Sequence, residues 1–465
     1  MEHFDLIVIG SGPAGEKGAA QAAYFNKRVL VVERAAQVGG AGINTGTVPS
    51  KTLRETALYF SGLRHRGLYG IDYSLKEDLN IESFMYRKQI VVENQWRIIN
   101  SNLARHNIRL INGEASFKDA HTVIVKSAHG ETGFSADVIL VATGSSPLRP
   151  NEIPFDHQLV YDSNDILCME RIPATMLVVG GGVIGTEYAS IFAALGVNVT
   201  LLDSHECILP FVDSEIVERL IIRLEALGLK FIFNDRLARI ETKNGHVHIT
   251  LQSGGMEEFD IALIAGGRQS NVQDLGLEEV GVKLGNRGLV IVNEKYQTSV
   301  PNIYAAGDVI GFPALASTSM EQGRVAMVQA FNLQYKEHIS RTLPLAIYTI
   351  PEISAVGLTE DKCKEKNLAY LVGRAYYENS ARGQIIGDTN GMIKLIFAPE
   401  DKRLLGAHII GEQASELIHL AAHAMSRGES IDTFIEAVYN FPTLSEAYKY
   451  AAYDGLGKLQ EWLKT

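Results

Sequence analysis

Cysteine is scarce in this chain: three residues, Cys168, Cys207 and Cys363, among 465. They are scattered, with neither the paired spacing of a metal-ligand set nor a dithiol motif. That excludes a disulfide-stapled scaffold and a cysteine-built metal site, and a reducing, cytoplasmic setting is expected. Long apolar runs are lacking too, since none reaches the ~18–20 residues that a membrane span needs. The stretch Met1-Glu2-His3-Phe4-Asp5 has no basic region and leads directly into a strand pattern, unlike a signal peptide. Basic charge is in deficit. The net charge of −11 argues against nucleic acids and anionic membrane surfaces as partners. What remains is a globular composition, 46% hydrophobic and 21% charged, in a chain too long for one core, so about three domains are expected.

What the chain does have is one device written twice. Phe4-Asp5-Leu6-Ile7-Val8-Ile9 reads as a buried strand and leads into Gly10-Ser11-Gly12-Pro13-Ala14-Gly15, a helical stretch, and a second apolar run, Val29-Leu30-Val31-Val32, closed by Glu33. Met176-Leu177-Val178-Val179 leads in the same way into Gly180-Gly181-Gly182-Val183-Ile184-Gly185, a helical stretch, and Val197–Leu202 closed by Asp203. In both copies the acid follows the first glycine by 23 residues. The first glycine allows a tight turn, the second lets a pyrophosphate approach the backbone, and the third lets the helix pack close to the strand. The helix start then offers free N–H groups and a positive dipole to the phosphates, and the acid can bond ribose hydroxyls. A single such motif is weak evidence. Two, each with strand, helix and acid in place, point to two dinucleotides, and a tightly held flavin with an exchangeable nicotinamide would form a redox relay.

Further strands fit the same plan. Val138–Val141 ends in Ala142-Thr143-Gly144, and Ile261–Ile264 ends in Ala265-Gly266-Gly267-Arg268. Ile303-Tyr304-Ala305-Ala306-Gly307-Asp308 is another apolar strand ending in an acid. After it Ala316 opens a helix whose N–H groups can face an electron-rich ring edge. His419 and His423 stand four apart near Glu416, but the surrounding pattern is that of an amphipathic interface helix with no third ligand cluster, so no metal is expected. From residue 342 onward no glycine fingerprint recurs, and the mixed periodicity suggests a separate α+β unit.

These motifs resemble, end to end, the flavoprotein disulfide reductase superfamily, the group of lipoamide dehydrogenase and glutathione reductase. Within it the chain is most similar to the soluble pyridine nucleotide transhydrogenases. The resemblance is carried by Gly46-Thr47-Val48-Pro49-Ser50-Lys51, Gly307–Pro313, Tyr348–Ser354 and Phe441-Pro442-Thr443-Leu444-Ser445-Glu446. It implies an α/β fold of two Rossmann-like domains, one for FAD and one for NAD(P), plus a C-terminal α+β dimerisation domain. FAD would bind residues 1–150 and a returning segment, 276–341. NAD(P)(H) would bind an inserted domain, 151–275, and residues 342–465 would form a homodimer. The resemblance implies that Lys51 sits near flavin N5 and that Glu187 pairs with it by the nicotinamide. Around the flavin it implies Gly10, Gly12, Gly15, Glu33, Arg34, Gly40, Gly42, Thr47, Ala115, Thr143, Gly144, Asp308 and Ala316. For the nicotinamide nucleotide it implies Gly180, Gly182, Ile184, Gly185, Asp203 and Gly267. Small residues at strand ends, Ala115 and Thr143-Gly144, are also read as simple packing.

The departures from that family are informative. The two positions of its redox dithiol hold Gly42 and Thr47, and neither forms a disulfide. The position of its thiol acid–base histidine holds Phe441, which cannot transfer protons. A substrate other than a thiol is expected, with hydride moving between NADH and NADPH pools through the flavin. An NADH diaphorase, quinone reductase or oxidase is the alternative, and a non-catalytic FAD-containing sensor a further one. Asp203 favours the free 2′-hydroxyl of NAD(H) over a 2′-phosphate, and Ser204-His205-Glu206-Cys207 brings no arginine, so NADH preference is expected beside any use of NADP(H).

Overall fold

The computed structural model describes residues 1–63, 68 and 79–464. The chain divides into two compact units. One comprises Met1–Thr52, Met85–Pro150 and Gly266–Ile339, and the other Leu53–Phe84, Asn151–Ala265 and Ser340–Thr465.

In the first unit a mixed sheet runs in the order Arg109–Asn112, Val29–Glu33, Glu2–Ile9, Gly130–Val141, Thr122–Ser127, Glu114–Asp119, and Ile303–Ala305 pairs with Gly130–Val141. The strands around Glu2–Ile9 are parallel, with Ile7 opposite Leu30 on one side and Ile139 on the other. Their near-continuous apolar runs follow from burial of both faces. Leu6, Val8, Val29, Val31 and Leu140 pack with Ala14, Ala19 and Ala22 of the helix Pro13–Tyr24, while Ile7, Ile9, Leu30, Val32, Ile139 and Val141 pack into a separate cluster. The helix Ala316–Ala330 lies against Pro13–Tyr24. A Cβ on Gly323 would stand 2.1 Å from the Ala14 carbonyl oxygen, so that approach requires glycine. The return to this unit begins at Gly266, earlier than the expected 276, because Arg268–Ser270 pairs antiparallel with Ser145–Pro147.

Among the described residues the second unit holds three sheets. A parallel sheet runs Lys230–Ile232, Asn198–Leu202, Thr175–Val179, Ile261–Ile264, Val160–Tyr161, flanked by a three-stranded antiparallel meander over residues 237–259. An antiparallel sheet runs Leu345–Ile347, Ile353–Gly357, Leu404–Ile410, Met392–Phe397, Leu371–Tyr376. Its apolar face packs on the helices Ala414–Ser426 and Ala447–Trp462 through Ile393, Leu395, Ile409, Leu417, Ala421 and Tyr448. The unit also contains a buried ion cluster: Lys394 Nζ, fully buried, is 2.6 Å from Asp213 Oδ1, 2.9 Å from Glu215 Oε2 and 2.5 Å from Glu360 Oε1. Among the described residues no helix is long and apolar enough to cross a membrane.

Candidate dinucleotide sites

The two glycine motifs have the same three-dimensional form. A Cβ on Gly15 would lie 1.9 Å from the carbonyl oxygen of Gly10, and one on Gly185 1.8 Å from that of Gly180. The third glycine of each copy is therefore where the helix touches the turn. At the second glycine the reverse holds. A Cβ on Gly12 would meet only the Gly40 Cα, at 3.7 Å, and one on Gly182 nothing within 4 Å. Each helix begins at that residue with no side-chain cap, so its first N–H groups keep their capacity for an anion. Ile184, in the first turn of the second helix, is half-buried.

Each acid braces its own glycine turn. Glu33, buried, accepts hydrogen bonds through Oε2 from Ser11 N at 2.9 Å and Ser11 Oγ at 2.7 Å, and through Oε1 from Ala35 N at 2.8 Å. Asp203 accepts through Oδ2 from Gly181 N, and through Oδ1 from His205 N at 2.8 Å and His205 Nδ1 at 2.6 Å. Partial burial pushes the Asp203 carboxyl up, but the N–H groups of Gly181 and His205 overcome this and hold it below the usual carboxylate range. Arg34, next to Glu33, is exposed.

Around the first motif the structure gathers several expected residues. A Cβ on Gly40 would stand 2.7 Å from Gly12 Cα, one on Gly42 3.1 Å from Pro13 Cγ, and one on Gly10 3.3 Å from Thr143 Cα. Thr143 Oγ1 is buried and makes no hydrogen bond within the protein. Gly144 and Gly267 have positive φ, and a Cβ on either would enter open space. Asp308 Oδ2 accepts from Ser145 Oγ at 2.8 Å, and Arg268 Nε donates to the same hydroxyl at 2.8 Å. Gly307 N donates to Gln322 Oε1 on the helix that Ala316 begins, and that helix start has no side-chain cap. An open glycine cradle, uncapped helix starts and an orphaned hydroxyl are what a flavin dinucleotide would complete, and the residues fit it. Ala115 packs its methyl against the core and pairs with Val125.

Lys51 is half-buried on the helix Thr47–Ser61, with Nζ 3.4 Å from Ser50 Oγ. Thr47 is exposed at the start of that helix, and Gly42 lies in the short helix Gly40–Asn44. In the second unit Glu187 is 3% exposed and its Oε1 accepts from Tyr348 N at 2.8 Å. Beside it the Tyr188 hydroxyl is buried with no hydrogen-bond partner, and burial, then the Glu187 and Asp162 carboxylates, push that phenol far up. Arg54, 3% exposed, donates from Nε to Thr349 O at 2.8 Å and so holds the same segment. Phe441 is 75% exposed. Asp213, Glu215 and Glu360 have the grouping of a cation site, but Lys394 already supplies the cation.

Sequence reasoning misses Ser11, Ser145, Arg268, Gln322 and Tyr348 as brace residues. Only Ser11, inside the first motif, carries a signal there; the others arrive from distant segments.

A family model described as pyridine nucleotide-disulphide oxidoreductase matches residues 4–323, and its dimerisation domain matches residues 343–452. The chain is 42% identical over 462 residues to a soluble pyridine nucleotide transhydrogenase of Mycobacterium tuberculosis, covering 99% of this chain and 98% of the relative. It is 39% identical over 460 residues to the enzyme of that name from Colwellia psychrerythraea, covering 98% of each. Among solved structures it resembles LpdA from Mycobacterium tuberculosis, with a TM-score of 0.90 and 27% identity over 97% of this chain and 99% of that one. The flavoprotein disulfide reductase RclA from Escherichia coli matches with a TM-score of 0.87, also at 27% identity and the same coverage.

Proposed function

The chain belongs to the pyridine nucleotide-disulphide oxidoreductase family, and from that premise we propose that it is an FAD-dependent transhydrogenase, moving hydride between NAD(H) and NADP(H) without a redox disulfide. The observation that carries the reading is the combination of two intact dinucleotide cradles with Gly42, Thr47 and Phe441 where thiol chemistry would need cysteines and a base. The transhydrogenase name of relatives 39–42% identical supports it.

In this reading the flavin, when bound, supplies a two-electron hydride acceptor and donor. The protein's own work is binding, orientation and electrostatics. Gly12 and the start of helix Pro13–Tyr24 receive the FAD pyrophosphate, Glu33 the adenosine ribose, Asp308 the ribityl chain, and the first N–H groups of helix Ala316–Ala330 the pyrimidine edge. Lys51 presents its ammonium near N5, where negative charge grows on reduction. Glu187, held by Tyr348 N, presents a carboxylate to the nicotinamide. Gly180, Gly182 and Gly185 receive the second pyrophosphate and Asp203 the second ribose. Residues 342–465 form a homodimer. Three free thiols fit a reducing compartment, the cytoplasm.

A second reading, an NADH diaphorase reducing quinones, is favoured by Asp203 alone, since an acid disfavours the 2′-phosphate of NADP(H). Steady-state turnover with NADH against NADP⁺, quinones and oxygen separates the two. Turnover with NADP⁺ exceeding that with quinones is expected. Quinone turnover with no hydride transfer to NADP⁺ would overturn the first reading.

A further inference from the structure

We propose that Arg54 is a positioning residue for hydride transfer: it holds the loop 348–352, and through the Tyr348 N–H of that loop it sets where the Glu187 carboxylate stands against the nicotinamide. The inference rests on the reading above that Glu187 faces the nicotinamide.

Residues 348–352 join two antiparallel strands, Leu345–Ile347 and Ile353–Gly357, where Ile347 stands opposite Ile353. At one end of the loop Tyr348 N donates to Glu187 Oε1 at 2.8 Å. Next to it Thr349 O accepts from Arg54 Nε at 2.8 Å. At the other end the Glu352 carboxylate accepts from Gln413 N at 2.9 Å and Ser415 N at 3.3 Å, where the helix Ala414–Ser426 starts. Thr349 is fully buried. Without the guanidinium its carbonyl would be an acceptor cut off from water with no partner from Arg54, and the loop would turn to satisfy it elsewhere. The N–H of Tyr348, one residue away on the same short loop, would move with it.

The guanidinium serves geometry better than stability. The Arg54 side chain is 4% exposed, yet its Nη1 pairs at 2.6 Å with Glu55 Oε1, a carboxylate 53% exposed. Its Nη2 stands 4.0 Å from Glu352 Oε1. A charge buried against so partial a pairing is a poor source of stability, and an apolar side chain would fill the same volume without that cost. What an apolar side chain cannot supply is the rigid planar fork, with one donor for Thr349 O and another for a carboxylate. Arg54 also follows Lys51 by one turn on the helix Thr47–Ser61. The helix that carries one charged group of the proposed site therefore braces the segment that holds the other. Hydride transfer is steep in such placement, since a displacement of about 1 Å costs on the order of 10²-fold in rate.

The test joins hydrogen exchange to rapid reduction kinetics on the flavin-loaded enzyme. With no nucleotide present, Arg54→Met should raise deuterium uptake in the loop 348–352 and leave the strand Met392–Phe397 as protected as in the wild type. Its limiting rate of flavin reduction by NADH should fall by roughly 10- to 100-fold, while the NADH Kd, set by the second glycine cradle and Asp203, stays within about threefold. Arg54→Lys keeps the charge but not the planar fork; it should show the same pattern at smaller amplitude, and it serves where Arg54→Met folds poorly. In a double-mutant cycle with Glu187→Gln the two losses of rate should not multiply, because both act through one carboxylate. Unchanged loop exchange in the Arg54 variants, an unchanged limiting rate, or a loss that multiplies with that of Glu187→Gln would overturn the inference. A limiting rate unaltered by Glu187→Gln alone would overturn instead the reading of Glu187 beneath it.

Discussion

Gly12 and Gly15 lie three residues apart in one motif, and the structure gives them opposite duties, so their alanine variants should fail in opposite ways. A Cβ at Gly15 would stand 1.9 Å from the Gly10 carbonyl oxygen, backbone against backbone, with no flexible side chain to yield. The helix Pro13–Tyr24 must then move off the sheet, at a cost at or above the ~1–3 kcal/mol of core overpacking. At Gly12 the backbone has φ −65 and ψ −177, which any residue adopts, and the nearest atom to a Cβ is Gly40 Cα at 3.7 Å. The protein should fold as well or gain about 0.4–1 kcal/mol from a less flexible unfolded chain. On the proposed assignment, however, the methyl fills the space through which the pyrophosphate approaches. Losing a ligand present at about 1,000 times its Kd removes ~4 kcal/mol of stabilisation. Flavin-to-protein ratio by absorbance and thermal melts with and without added FAD read both effects. Gly12→Ala, and more strongly Gly12→Val, should purify largely colourless and melt with flavin-stripped wild type, unmoved by added FAD. Gly15→Ala should melt below stripped wild type. Full yellow occupancy in Gly12→Val, or a Gly12→Ala protein melting well below stripped wild type, would refute the reasoning.

Other outcomes follow from the same geometry. With Gly42 and Thr47 at the dithiol positions, the enzyme should reduce neither lipoamide nor glutathione disulfide; a two-electron titration should bleach the flavin without an earlier long-wavelength thiolate band, and such a band would contradict the assignment. At pH 8, stopped-flow reduction by NADH should exceed that by NADPH by roughly 10²-fold, since a lost charged hydrogen bond costs ~1.5–3 kcal/mol and each ~1.4 kcal/mol is tenfold. Asp203→Ser with His205→Arg should shift the preference toward NADPH by supplying a phosphate fork. Lys394→Met should lower stability by about 3–5 kcal/mol in denaturant melts, because three carboxylates lose a shared buried ammonium. Glu215 is held at about 2: partial burial raises it, and the hydrogen bonds from Arg374 and Lys394 more than reverse that. A depressed carboxyl contributes stability that is complete above the ordinary glutamate range and is lost as pH falls toward about 2. The melting temperature should therefore drop steeply across that acid window, and less steeply in Lys394→Met.

Much of the candidate site is legible in the sequence because a dinucleotide cradle is a local object. Gly10, Gly12, Gly15 and Glu33 lie within one strand–helix–strand unit, and the physical demands on each position leave few residue choices. The second copy, from Gly180 to Asp203, is readable for the same reason. So are the losses at Gly42, Thr47 and Phe441, since a residue without a thiol or an exchangeable proton cannot do that chemistry in any fold. The boundary after Ala265 is not legible, because the three-residue pairing of Arg268–Ser270 with Ser145–Pro147 has no periodicity to detect.

The sequence by itself thus determined the two nucleotide cradles, the acid closing each and the absence of thiol machinery. Only the tertiary structure decided what those acids hold, Ser11 for Glu33 and both Gly181 and His205 for Asp203. Asp308 meets Ser145 across 163 positions of chain, and Arg268 reaches the same hydroxyl across 123. Lys394 reads as a polar interruption in the apolar strand Met392–Phe397, yet it is the buried cation of three carboxylates, with Asp213 181 positions away. Turn and helix preferences act over a few neighbours, so they mark a cradle. Hydrogen bonds between distant segments depend on where the whole chain brings them together, and no local pattern records that.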